Sequence, residues 1–242
     1  MSKKIIFEKY QTRQSDYHWQ QISNSIFKHN AYVSARYNQV VNLVPKNKNL
    51  KVLDIGCGDG VLLSLISQKI SADLTGVDLD VDSLKTAKTK VKAKFIKANA
   101  YKLPFKANAF NLIISSEIIE HLSDTKKYLS EITRVVKSKG LVIITTPVKI
   151  SEIPEDKMHV QEFTSQELKS SLQKYFKQVS IRTSHPLWLK KLYLWQVFKL
   201  GRFYFEPFKW LINLWVIITK INPFKLSFGQ PTNQIAICKY PK

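Results

Sequence analysis

Val52-Leu53-Asp54-Ile55-Gly56-Cys57-Gly58-Asp59-Gly60 reads as a buried strand running straight into a glycine loop. Glycine lacks a Cβ and tolerates unusual φ/ψ, so such a loop lets a ligand lie against bare backbone. The nearest alternative is the dinucleotide fingerprint G-x-G-x-x-G, which holds a pyrophosphate at the N-terminus of the next helix. Gly56 and Gly58 fit it, but the third glycine position is Val61. Asp54 and Asp59 would also repel a phosphate. A loop carrying two carboxylates suits a cationic ligand instead.

Outward from this loop the chain alternates strands and helices. Residues 51–55 and 74–78 read as strands, each followed by a helix, over 61–69 and 81–92. Residues 95–98 form a third strand. Residues 110–115 form a fourth, an apolar run of the kind buried on both faces. A helix follows over 125–137, with Ser123 or Asp124 as its N-cap and Gly140 just past its end. Residues 141–146 are a fifth strand, stopped by Pro147. Thr164-Ser165-Gln166-Glu167 is a capping box opening a helix to about Tyr175. Residues 179–183 and 234–239 are the last two strands. The pattern predicts an α/β fold: a doubly wound, seven-stranded, mostly parallel sheet. Upstream, Ile22, Ile26, Val33, Tyr37, Val40, Val41 and Val44 recur at roughly helical spacing, and Pro45 stops the run. The expected organisation is a helical cap over 1–45, a core over 46–185, an insertion over 186–231 and a last core strand in 232–242.

The insertion differs in character. Residues 187–228 hold twelve aromatics, four of the five tryptophans among them, with seven Lys/Arg and one acid, Glu206. The longest uncharged run, 210–219, is far below the ~20 residues of a membrane span. Aromatic and basic character without spanning length is the signature of helices lying in a membrane interface. A hydrophobic lid or a dimer surface is the competing reading. The formal net charge of +20 favours anionic partners, an acidic membrane face or nucleic acid. Lysines scattered over solvated faces give the same total. Cys57 and Cys238 make no disulfide framework, which points to a reducing compartment. Ile5-Ile6-Phe7 is too short for a signal-peptide core, so no export is expected. The expected location is cytoplasmic, peripheral on the inner face of the membrane.

The glycine stretch resembles motif I of the class I S-adenosylmethionine methyltransferases, whose cofactor carries a sulfonium and an ammonium. The resemblance implies a Rossmann-like methyltransferase fold and a set of cofactor contacts. Asp54 orders the loop and meets the cofactor's ammonium; Gly56 and Gly58 allow close approach; Cys57 is a small buried thiol in the loop. Asp78 ends the second strand, where a carboxylate accepts two hydrogen bonds from ribose hydroxyls. Leu79 follows it, and Asp80 is the weaker candidate, suited to cap the next helix. Residues 98–105 resemble the family's adenine loop, with Asn99 where Asp is usual and Ala100 beside it. Glu117 completes the cofactor set.

After the fourth strand comes Glu117-Ile118-Ile119-Glu120-His121. Read as one helical turn, Glu117, Glu120 and His121 share a face. Two carboxylates and an imidazole suit a divalent ion, Mg, Mn or Zn, with His159 as a fourth ligand. The pattern resembles the ubiquinone-biosynthesis O-methyltransferases and the small-RNA terminal 2′-O-methyltransferases, in which the resemblance implies a metal bound to acceptor hydroxyls. Metal-independent relatives use the same Glu-His pair differently, with His121 as a base or as pocket wall. Glu120 and His121 are the expected catalytic residues. The expected activity is S-adenosylmethionine-dependent O-methylation of a hydroxylated small molecule, lipid, quinone precursor or lipid-linked acceptor. An RNA methyltransferase is the alternative. A catalytically dead fold serving as a binding partner is a third reading.

Overall fold

The computed structural model describes residues 16–154, 156–200 and 203–242; the Ile5-Ile6-Phe7 run lies outside them. In chain order the strands are β1 (Leu50–Ile55), β2 (Ala72–Asp78), β3 (Lys94–Lys97), β4 (Phe110–Ser116), β5 (Val136–Pro147), β6 (Phe176–Pro186), β7 (Phe198–Leu200), β8 (Phe203–Phe205) and β9 (Pro231–Pro241). Apart from the β7–β8 hairpin they form one sheet in the order β3-β2-β1-β4-β5-β9-β6. β1 to β5 pair in parallel, and β9 runs antiparallel between β5 and β6. This is the doubly wound seven-stranded sheet expected from the sequence. The chain order reverses between β1 and β4, so the loops leaving their carboxyl ends open a crevice there.

The helices are α1 (Tyr17–Gln21), α2 (Ala31–Leu43), α3 (Val61–Ser67), α4 (Val81–Lys90), α5 (Thr125–Val135), α6 (Ser165–Gln173), α7 (Leu187–Tyr193) and α8 (Pro207–Thr219). Side-chain caps fix their starts. Asp80 accepts from Ser83 N, Asp124 accepts from Lys127 N, and Thr164 with Glu167 closes a reciprocal capping box. Each such cap contributes about 1 kcal/mol. One apolar layer joins the sheet to α2, α3 and α4 through Val40, Val52, Leu63 and Leu84. The other joins it to α5 and α6 through Leu53, Ile113, Ile132 and Leu172. β4 is covered on both faces, with Leu112, Ile113 and Ile114 fully buried, which is why its sequence does not alternate.

Between β6 and β9 the chain leaves the sheet and packs on α2. Leu189, Tyr193, Val216 and Phe224 form a third apolar cluster with Ala31 and Ala35. Asn213 locks it. Its Nδ2 donates to the carbonyls of Ile26 and His29, and its Oδ1 accepts from Ala31 N and the Tyr193 hydroxyl. Every hydrogen-bonding group of this buried amide is used.

Three local expectations are corrected. The helical pattern over 17–44 is interrupted between α1 and α2, where Asn30 caps a new start. The helix expected over 125–137 ends at Val135 and passes directly into β5, so Gly140 lies inside a strand rather than at a cap. A Cβ there would run into the Val136 side chain and the Lys137 carbonyl, beside a shift in β4–β5 register. Gly140 thus serves close approach. The insertion holds the β7–β8 hairpin as well as helices.

Candidate active site

β1 delivers the glycine loop into the crevice. Gly56 has φ +73°, and its N–H and that of Cys57 both donate to the Val77 carbonyl, 2.8 and 3.1 Å away. A Cβ on Gly56 would collide with Ile118, so only glycine fits. Gly58 N donates to Asp78 Oδ2 at 2.8 Å, and Asp80 N donates to Asp78 Oδ1 at 2.9 Å. Asp78 is therefore oriented by the loop that it faces, with lone pairs left for a ligand. Asp80 is used as the α4 cap. Asn99 Oδ1 accepts from Tyr101 N, which tightens the loop after β3. Asp54, Gly56, Cys57, Gly58, Asp78, Leu79, Asn99, Ala100, Glu117 and His121 all line one cavity.

Burial and the neighbouring Asp78 push the Asp54 carboxyl well above the usual carboxylate range. A ligand ammonium alongside would restore its charged form. Burial also raises the Cys57 thiol, so it is an inert wall rather than a nucleophile. Asp59 is taken by the cap. His18 N donates to its Oδ2 at 3.0 Å, the His18 ring stands 3.2 Å from its Oδ1, and Trp19 Nε1 donates to its carbonyl. His18 also lines the cavity, so α1 lies over the glycine loop.

Glu117 does not share a helical face with Glu120 and His121. Its φ is +58°, and the turn that follows is a short 3-10 helix over Ile119–His121. Glu117 Oε1 accepts from Thr145 Oγ1 at 3.0 Å and Asn233 Nδ2 at 3.3 Å, and Oε2 pairs with Arg36 Nη1 at 3.0 Å. Arg36 escaped the sequence reading. It comes from α2, lines the same cavity as the glycine loop, and keeps a buried Nε with no hydrogen-bond partner among the described residues. The only signal for it was a lone Arg on the apolar side of a helix.

The structure does gather Glu120, His121 and His159: one ligand atom from each lies within 4.8 Å of the others. Glu120 is fully buried. Its Oε2 accepts from Thr146 Oγ1 at 3.0 Å, while Oε1 has no partner among the described residues. Burial, then Glu117, raises its pKa well above the usual range. His121 Nδ1 lies 3.0 Å from the Met158 carbonyl, and His159 Nδ1 lies 2.7 Å from Glu162 Oε1. Donation from Nδ1 puts each ring's lone pair on Nε2, the arrangement that orients metal-ligating histidines. An orphaned carboxylate oxygen beside two such imidazoles fits a divalent cation. Glu117, bound to Arg36, falls outside this group. A second cavity, walled by Tyr32, Met158, His159, Lys190 and Thr232, shares Glu117 with the first.

The Methyltransferase domain family matches residues 46–199, more than half of the chain, and the chain belongs to that family of class I S-adenosylmethionine-dependent methyltransferases. A probable S-adenosylmethionine-dependent methyltransferase of Mycobacterium tuberculosis is 28% identical over 145 residues, 57% of this chain and 53% of the relative. A ubiquinone biosynthesis O-methyltransferase of Bartonella tribocorum is 30% identical over 111 residues, 44% of each protein. The chain spans about half the length of the curated relatives it matches. A SAM-dependent methyltransferase from Archaeoglobus fulgidus superposes with a TM-score of 0.60 at 22% identity, over 93% of this chain and 99% of that one. Phosphoethanolamine N-methyltransferase 2 of Haemonchus contortus gives 0.61 at 19% identity, over 94% and 60%. At these identities the structural likeness speaks for the fold alone.

Proposed function

We propose that the protein transfers the methyl group of S-adenosylmethionine to a hydroxyl oxygen of an acceptor seated in the second cavity. The observation that carries this reading is the meeting of Glu120, His121 and His159 beside the cofactor-side cavity. The cofactor brings an electrophilic methyl on a sulfonium, open to in-line displacement. Asp54 faces its ammonium, Asp78 its ribose hydroxyls, and Asn99 and Ala100 its adenine. Arg36 is the buried cation of the cavity, and its charge and unpaired Nε suit the cofactor's carboxylate. The cap helix, through His18 and Trp19, keeps bulk water from the loop.

Glu120, His121 and His159 would hold a divalent ion, Mg, Mn or Zn, whose contribution is to lower the pKa of an acceptor hydroxyl beside it. The surrounding chain keeps those side chains fixed: Thr146 on Glu120, the Met158 carbonyl on His121, Glu162 on His159. The acceptor class we favour is a hydroxylated lipid, quinone precursor or lipid-linked molecule. The aromatic and basic segment beside the second cavity supports it, and such an acceptor would be met at the inner face of a membrane.

The test uses purified protein, methyl-labelled S-adenosylmethionine and cell extract separated into lipid, RNA, protein and small molecules, with and without EDTA. Label in lipid that EDTA abolishes is the expected result. Transfer that survives EDTA, with metal analysis showing no retained ion, would make His121 the base and His159 a wall. Label in RNA would overturn the lipid acceptor. Failure to bind S-adenosylmethionine would turn the protein into a binding partner on a methyltransferase fold.

A further inference from the structure

α8 presents its apolar side to solvent. Asn213 and Val216 are its buried positions, while Leu211, Leu214, Trp215 and Ile218 are exposed, Ile218 at 69%. These positions stand at i, i+3, i+4 and i+7, one stripe of a helix, and Ile221 at 64% exposure extends it. Trp188, Trp195 and Phe228, from the same segment between β6 and β9, are exposed too. Apolar patches of this extent mark a surface that something covers.

The buried anchor decides between a lid and a fixed face. Asn213 makes four hydrogen bonds on the opposite side of α8, to Ile26, His29, Ala31 and Tyr193. Turning the stripe inward would break all four. The stripe therefore faces away from the body of the protein. α8 has 13 residues, ~20 Å at 1.5 Å per residue, too short to cross the ~30 Å hydrocarbon core. Among the described residues no helix is long and apolar enough to do so.

Charge selects the occupant. Lys191, Lys220 and Lys225 lie on this segment, and its one acid, Glu206, is already paired with Lys209. A second copy bringing the same segment up across a two-fold axis would set seven Lys/Arg against seven, with one acid on each side. Anionic headgroups would meet them favourably while the stripe enters the acyl boundary.

We infer that the α8 stripe docks this protein flat on an anionic lipid bilayer. This rests on the lipid-acceptor reading above and adds the surface by which the acceptor is approached. Lys190, two residues from the exposed Trp188, lines the second cavity and lies over the Tyr32 ring. The segment that carries the stripe thus also supplies a wall of the second cavity, so a docked molecule would hold that cavity close to the bilayer.

The experiment is flotation with vesicles of phosphatidylcholine alone and of phosphatidylcholine mixed with phosphatidylglycerol, alongside calorimetric binding of S-adenosylhomocysteine. The wild-type protein is expected to float with the anionic vesicles and show a blue-shifted tryptophan emission. Trp215→Ala with Ile218→Ala should lower partitioning at least about tenfold, since each removes an exposed apolar side chain that would enter the bilayer. Lys220→Gln and Lys225→Gln should lower it about fivefold each. All three variants should keep wild-type cofactor affinity. No flotation with intact cofactor binding would overturn the docking face and leave the methyltransferase reading standing. So would a dimer in sedimentation equilibrium that Trp215→Glu dissolves. Flotation without any methyl transfer to lipid would retain the docking face and sink the lipid acceptor.

Discussion

Arg36 Nη1 stands 3.0 Å from Glu117 Oε2, with the two side chains 12% and 22% exposed. The pair ties α2, outside the sheet, to the left-handed residue that follows β4. Both side chains line the glycine-loop cavity, so one contact links the position of α2 to the shape of the site.

Replacing Arg36 with Ala leaves the Glu117 carboxylate without its counter-charge and strips the cavity of its buried cation. S-adenosylhomocysteine affinity should fall at least about tenfold, the loss of a charge-assisted hydrogen bond. Arg36→Lys should recover part of it, because lysine keeps the charge and loses the planar fork. Isothermal titration of both variants measures this, and equal affinity in all three proteins would remove Arg36 from the site.

Gly56→Ala tests the loop. The substitution forces an L-residue to φ +73° and drives a methyl into Ile118. Strain of about 1–3 kcal/mol is expected, seen as a lower Tm, and cofactor binding should drop further than Tm alone explains. A second change, Ile118→Ala, removes the clash but not the strain. It should therefore restore only part of the stability.

Glu120→Gln separates stability from function. In the metal-free protein a fully buried carboxylate with one oxygen unpartnered is a cost, which the neutral amide relieves. Tm of the EDTA-treated variant at neutral pH should be higher by about 2–4 °C. Binding of zinc or manganese should be lost. A variant that is less stable and still binds metal would contradict both arms.

His185 governs acid stability. Burial is the main reason that its pKa is pushed down to about 3 from 6.5. Nε2 lies 2.9 Å from the Tyr32 carbonyl and Nδ1 2.7 Å from the Ser184 hydroxyl, on a fully buried residue. The unfolded chain takes a proton near pH 6.5 and the folded chain does not until about pH 3. This contribution is therefore complete above pH 6.5 and is lost as pH falls through that window, at up to ~1.4 kcal/mol per pH unit. His185→Gln should flatten the fall of Tm between about pH 6.5 and 4.5.

Those parts of the fold set by local chemistry were legible in the sequence. The glycine loop, the apolar run of β4, Asp80 and Asp124 as caps and the Thr164–Glu167 box all stand where residue type and spacing put them. Tertiary contacts decided the rest. Glu117-Ile118-Ile119-Glu120-His121 has helical spacing, yet Arg36, Thr145 and Asn233 hold Glu117 out of the helix. Val135 and Val136 continue one apolar run across the end of α5, so nothing local marked where β5 begins. Arg36 became visible only once α2 was laid over the cavity.

β9 lies in the interior of the sheet, between β5 and β6, while the insertion precedes it in the chain. On the ribosome β6 is made first and the insertion emerges next. Until Pro231–Pro241 follows, the β5 edge is bare and β6 has no neighbour on the sheet. A nascent edge of this kind is an invitation to pair with another chain. The length of the segment after Pro186 therefore sets how long each new molecule waits with its sheet open. Trimming that segment should shorten the wait and speed refolding, independently of anything the segment does in the mature protein.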